Sequence, residues 1–164
     1  MARTKKISEN KNKTDRVIKD IAVELLSALQ LDGEAEVKLL EEDTYQVSIN
    51  TPDSGLLIGF HGDTLSSFQL ILGIMVYKKL GQWEKIVVEV GDYRAKREEQ
   101  LKEMATGFAN RAITTNSPVT FPYLTAADRR VIHIALKDHP QITAESIGEG
   151  EQRRLIVKPK TGQE

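Results

Sequence analysis

Cysteine is absent from the 164 residues. That excludes a disulfide framework, a thiolate nucleophile, an iron–sulfur cluster and a cysteine-ligated zinc site. Histidine is scarce. His61, His133 and His139 are the three, and they are too scattered for a zinc site, with Pro140 limiting the helix that would hold the last two. No apolar run reaches the roughly 18 residues that cross a bilayer. The opening MARTKKISENKNKT is basic with no apolar stretch behind it, so it does not read as a secretory signal. Ser54 and Ser146 lie near glycines, but neither has a G-x-S-x-G context. No pair of acids sits at a recognisable catalytic spacing. The expectation is therefore a non-enzyme with no catalytic residues, no metal, no cofactor and no membrane insertion. What remains is an ordinary globular composition, 40% hydrophobic and 29% charged. The length fits one domain or two small ones, and a cytoplasmic location is the default.

The net charge of −1 hides an asymmetry. Residues 1–16 carry six bases and two acids, residues 17–90 five bases and twelve acids, and residues 91–164 twelve bases and ten acids. Polyanion binding draws on local positive charge, not on the total. By that test the middle of the chain is a poor nucleic-acid surface, and the tail and C-terminal half are better ones.

Residues 1–13 are polar, basic and aperiodic, and they are expected to be a disordered tail. Val17, Ile18, Ile21, Ala22, Leu25, Leu26 and Leu29 then form one apolar helical face, more consistent with core than with a partner surface. Thr14 or Asp15 can start that helix, and Asp32-Gly33 can end it. Residues 34–40 and 44–49 alternate with period two and read as strands, joined by a turn at Glu41-Glu42-Asp43. A short apolar piece after Pro52-Asp53-Ser54 runs into Gly59-Phe60-His61-Gly62. A second helix follows, with Leu65, Phe68, Leu72, Met75 and Val76 on one face, and then a buried strand at residues 86–90. Past Gly91-Asp92 comes a long helix to about residue 114 and a short strand at 119–123. Thr125 caps another helix, and a strand pair closes the chain around Gly148-Glu149-Gly150. The order is α-β-β-α-α-β, then α-β-α-β-β, with the junction near Gly91. The expected units are residues 14–90 and 91–160, with 161–164 a disordered end.

Two motifs carry chemistry. Gly59 and Gly62 let the backbone pass close to a ligand, and the amides opening the next helix can face a phosphate. That is how a GXXG loop clamps single-stranded nucleic acid. A Walker-type loop is excluded, because no Lys-Ser/Thr pair follows Gly62. The second motif is Arg129-Arg130-Val131-Ile132-His133. Arg129 and His133 are four apart and share a helix face. A guanidinium fork and an imidazole there can hold one phosphate, and Arg153 and Arg154 beside a glycine-rich turn can add to the patch. The competing reading buries His133 and pairs Arg129 with Asp128 or Glu145.

Leu57-Ile58-Gly59-Phe60-His61-Gly62-Asp63-Thr64-Leu65 resembles the core of a K-homology (KH) domain of the type II arrangement. Arg129-x-x-x-His133 resembles the signature of an R3H domain. So does its setting, from Phe121-Pro122-Tyr123 through Glu145-Ser146-Ile147-Gly148-Glu149-Gly150, Arg153-Arg154 and Lys158-Pro159-Lys160. KH followed directly by R3H is the pattern of the bacterial Jag family, also called SpoIIIJ-associated protein or KhpB, and the resemblance covers roughly residues 15–160. It implies an α+β fold: a three-stranded KH sheet with helices on one face, then a small α/β R3H domain. It implies binding of single-stranded RNA, with single-stranded DNA as the alternative, through Gly59, Phe60, His61, Gly62, Arg129, His133, Arg153 and Arg154. It further implies post-transcriptional regulation linked to cell-envelope growth, and a small KH-protein partner or a homodimer.

The chain departs from the family in three places. Members usually carry a lysine or arginine inside the GXXG loop, and here the two positions are Phe60 and His61. Phe60 either stacks on a nucleobase or packs on the neighbouring helix. Ala144 stands where the family often has threonine. The N-terminal Jag domain of many members is expected to be absent, with only the basic tail in its place. A second function class is thus kept open: a protein-interaction module in which the acidic first half docks a partner and only the R3H half touches nucleic acid.

Overall fold

The computed structural model describes residues 2–40 and 43–160, with side chains from residue 13 onward. Glu41 and Glu42 of the expected turn and the expected disordered end at 161–164 lie outside the described residues. The chain divides into two compact units, Met1–Tyr93 and Arg94–Glu164, so the boundary falls after Tyr93 where Val90 was expected. Both units are mixed α and β.

The first unit runs α1 (Ala2–Ala28), β1 (Glu34–Leu39), β2 (Thr44–Asn50), α2 (Ser54–Ile58), α3 (Asp63–Leu80) and β3 (Lys85–Val90). Its sheet has the order β1-β2-β3, antiparallel between β1 and β2 and parallel between β2 and β3. That is the α-β-β-α-α-β arrangement expected for the KH half. Alternation explains the sheet's buried face: Tyr45, Val47 and Ile49 of β2 face inward beside Ile86, Val88 and Val90 of β3. Ile18, Ala22 and Leu26 of α1 and Leu65, Phe68, Leu72 and Val76 of α3 meet them in one core. Each fully buried Leu or Ile stabilises the unit by about 1.5–3 kcal/mol.

Two features of α1 differ from expectation. The sequence places disorder over residues 1–13, whereas the helix reaches back to Ala2. Residues 2–13 contain no glycine or proline, and more than half are Ala, Arg, Lys or Glu, which are strong helix formers. Once packing has nucleated the helix further on, extending it costs little per residue. At the other end α1 stops at Ala28, before Asp32-Gly33. Gln30 turns left-handed at φ 58°, and the Leu31 N–H closes onto the Leu26 carbonyl at 3.0 Å.

The second unit takes in α4 (Tyr93–Thr115) from Arg94 onward, β4 (Val119–Thr120), α5 (Ala126–Leu136), β5 (Ile142–Ile147) and β6 (Arg154–Pro159). Its sheet order is β4-β6-β5, all antiparallel. Small residues on α4 (Ala105, Ala109 and Ala112) let the helix lie close to Ile132, Leu136, Ile142, Leu155 and Val157. The Phe108 and Phe121 rings stack with centroids 4.2 Å apart. Thr125 caps α5 as expected and forms a full capping box. Its hydroxyl accepts from the Asp128 N–H at 3.1 Å, and the Asp128 carboxylate accepts from the Thr125 N–H at 3.4 Å. Asp128 is only 4% exposed, and Arg97 of α4 neutralises it through a two-pronged contact at 2.8 and 3.4 Å.

Arg97→Ala should therefore lower the stability of this unit by about 3 kcal/mol, because it strands a buried carboxylate. Lys102→Ala breaks only the exposed Lys102–Glu98 pair and should change stability by less than about 0.5 kcal/mol. Chemical denaturation of the two variants checks both values.

Candidate nucleic-acid interface

In the first unit the glycine loop forms a tight corner. α2 ends at Ile58, Gly59 takes φ 70° and ψ −165°, a single 3-10 turn spans Phe60–Gly62, and α3 begins at Asp63. A corner this tight needs unusual backbone: Gly59, His61 (φ 53°) and Gly62 (φ 89°) all have positive φ. A Cβ on Gly59 would strike the Thr64 hydroxyl and come within 2.6 Å of the Thr64 Cβ. Glycine at 59 is thus required by the corner itself. A Cβ on Gly62 would press on the Tyr93 ring at 3.0–3.5 Å.

The corner revises what each loop residue can offer. The Gly59 N–H donates to the Gly55 carbonyl at 2.9 Å, so this amide closes α2 and is not presented to a ligand. The Asp63 N–H likewise closes onto Phe60. The Asp63 carboxylate stands in the first turn of α3, where it opposes an incoming phosphate. Phe60 is a surface residue. Its ring is 66% exposed and lies 4.1 Å from the His61 ring, tilted by 45°. The loop therefore offers an aromatic platform in place of a cation.

The second unit gathers cations. Arg129, Arg130 and His133 of α5 and Arg153 just before β6 line an open hollow of about 720 Å³, with Ala144, Glu145, Ser146 and Ile147 of β5 forming its other wall. Helix spacing accounts for the α5 side, since residues three and four apart share a face. His133 is exposed, not buried. Arg129 is half-buried, and its guanidinium donates to the Leu124 carbonyl at 2.7 Å. The two acids that might have neutralised it are engaged elsewhere: Asp128 by Arg97, and Glu145 by Lys158 at 2.6 Å. A guanidinium oriented by a neutral carbonyl keeps its full charge.

Of the expected residues, Arg129, His133 and Arg153 come together. Arg154 does not line the hollow. It donates to the Glu151 and Arg153 carbonyls at 2.6 and 3.1 Å, and its guanidinium lies 5.9 Å from the Tyr123 ring. The backbone is already extended at Arg153, one residue before β6, so the two consecutive side chains point to opposite faces. Arg130 was not singled out from the sequence, yet it lines the hollow. Its spacing of three from His133 was the available signal. Ile134 and Ile147, 64% and 46% exposed, add an apolar rim.

Residues 99–159 match the family described as R3H domain. Proteins named RNA-binding protein KhpB match over most of the chain. The one from Bacillus subtilis is 29% identical over 131 residues, covering 78% of this chain and 63% of its own length. The one from Clostridium symbiosum is 28% identical over 153 residues, covering 90% and 69%. The one from Streptococcus pneumoniae is 24% identical over 153 residues, covering 90% and 47%. The chain is thus similar over most of its length to proteins named KhpB, and its second unit matches the R3H domain family. It spans less than two thirds of the Bacillus relative. No described helix is long and apolar enough to cross a membrane.

The corner makes a direct prediction. Gly59→Ala should destabilise the first unit by about 1–3 kcal/mol, through positive φ and the Thr64 clash. Phe60→Ala, at an exposed position, should shift stability by less than about 0.5 kcal/mol. Urea titrations of both variants supply the comparison.

Proposed function

We propose that this chain binds single-stranded RNA as a non-catalytic protein of the KhpB type, holding the backbone in the R3H hollow and a base at the KH loop. The observation that carries this reading is the hollow. Arg129, Arg130, His133 and Arg153 converge there, while the one acid on its wall is engaged by Lys158. An open, cationic cavity with an apolar rim suits a flexible chain that has both charge and exposed bases. Relatives named RNA-binding proteins support the ligand class.

The two halves divide the work. The R3H half supplies charge. The KH half, acidic and without a basic residue in its loop, supplies the Phe60 ring for stacking. Two modest contacts on one chain strengthen each other through effective concentration. Post-transcriptional regulation linked to envelope growth, and a cytoplasmic setting, accompany this reading on the strength of the family resemblance.

Fluorescence anisotropy with a labelled oligoribonucleotide tests it. Affinity should fall with salt at a log–log slope of about −0.7 for each phosphate contacted. Arg129→Ala should weaken binding by about 1–3 kcal/mol. Arg154→Ala should cost less, because that side chain is turned to carbonyls and Tyr123. Phe60→Ala should weaken binding by about 1–3 kcal/mol if a base stacks there. Salt-independent binding, or an Arg129→Ala variant that binds as the parent does, contradicts the proposal.

A further inference from the structure

β5 lies at the end of its sheet, and among the described residues it pairs only with β6. An edge strand carries N–H and C=O groups with no ladder partner, and folds normally blunt such edges by shortness, proline, lysine or a bulge. The opposite edge is blunted: β4 has two residues, and Pro122 follows close behind. β5 is not. Its six residues read ITAESI, with neither proline nor lysine, and they face β6 in unbroken register from Ile142 to Ile147.

The register fixes which backbone groups face outward. The Lys160 N–H donates to the Gln141 carbonyl at 2.8 Å, so these two facing residues exchange ladder bonds. In an antiparallel ladder such pairs alternate with pairs that do not. Thr143, Glu145 and Ile147 therefore bond to β6, and Ile142, Ala144 and Ser146 turn their N–H and C=O groups to the free edge. The far side of β6 agrees. There the Phe121 N–H donates to the Leu155 carbonyl at 2.8 Å, and Leu155 is the residue that faces Ser146, so it bonds towards β4 and not towards Ser146.

The cationic hollow runs along this same edge. Ala144, Glu145, Ser146 and Ile147 all line it. Consecutive strand side chains point to opposite faces, so four in a row border one space only along the edge of the strand. Across the space stand Arg129, Arg130 and His133 of α5. Glu145, the acid on the strand, is engaged by Lys158. One wall thus holds outward-facing backbone donors and acceptors at strand spacing, and the other holds cations. A polyanion answers the cations alone, whereas an acidic strand answers both walls.

We infer that β5 takes up an extended acidic segment of a partner protein as a further strand of its sheet. Main-chain bonds to Ala144 and Ser146 give affinity, and alternate side chains give specificity. Every second side chain of the added strand faces α5, where carboxylates meet Arg129, Arg130 and His133. The side chains between them lie on the outer face beside the exposed Ile147, where β-branched residues pack well. The partner is thus recognised by acidic and β-branched residues in strict alternation. This does not depend on RNA being held in the hollow.

Fluorescence anisotropy of the full chain with a labelled peptide, acetyl-Glu-Val-Glu-Thr-Glu-Val-amide, tests it. Binding should be micromolar. An isomer of the same composition with its glutamates in one block should bind about tenfold more weakly, because its acids no longer share one face. Methylating the peptide nitrogens one at a time should abolish binding at alternate positions only, since an added strand turns every second N–H to its neighbour. Ser146→Pro removes an N–H that faces the free edge, where a sheet tolerates proline, and should weaken the peptide about tenfold. Arg130→Glu, at an exposed position, should do the same and keeps the test open if Ser146→Pro proves unfolded by circular dichroism. A parent chain that leaves the alternating peptide unbound at millimolar concentration overturns the inference. So do equal affinities for the two isomers, or N-methylation that acts alike at every position. A folded Ser146→Pro that weakens an oligoribonucleotide while the parent binds no peptide makes the edge a nucleic-acid contact, and overturns it too.

Discussion

Asp128 is a buried carboxylate, and the second unit is organised around neutralising it. Arg97 supplies the charge, and the Thr125 N–H supplies a further donor. The pair holds α4 to the start of α5, and the same carboxylate completes the capping box that fixes where α5 begins. Because Asp128 is already engaged, the next residue, Arg129, is not drawn into an ion pair with it. Its guanidinium settles instead on the uncharged Leu124 carbonyl. A cost-bearing buried pair thus has a consequence at the surface. It leaves a cation oriented and unneutralised at the edge of the hollow where Arg130, His133 and Arg153 also point.

The first unit is governed by a different constraint, steric and not electrostatic. Gly59 is at a position where any side chain meets Thr64, and the chain must pass through three positive-φ residues in four. The product is an exposed aromatic pair, Phe60 and His61, above an acidic helix start. Such a corner is suited to stacking on a base and poorly suited to gripping phosphate. On the proposed reading the two halves read different parts of one nucleotide chain, and the charge division of the sequence follows that difference.

Much of this was legible in the residues. Period-two runs located β1 and β2, a continuous apolar run located β3, glycine and proline turns set off the three strands of the second sheet, and apolar helical stripes located the helices that cover them. The Thr125 cap could be named because threonine followed three residues later by an acid is a capping pattern with a mechanism. What could not be read was whatever depends on a partner distant in sequence. Arg97 and Asp128 are 31 positions apart, so nothing local showed that Asp128 was unavailable to Arg129. Arg154 looked equivalent to Arg153, and only the extended backbone leading into β6 separates them. The backbone bond that withdraws the Gly59 amide depends on where α2 stops, a boundary that composition does not set.

The account rests most on the R3H hollow as the seat of the RNA backbone. The direct measurement is a nuclear magnetic resonance titration of the isotope-labelled full chain with a short single-stranded oligoribonucleotide. Shifts should concentrate at Arg129, Arg130, His133, residues 144–147 and Arg153, with a second set at Phe60 and His61 and little change along β1. Shifts that leave the hollow untouched while RNA is bound would contradict it.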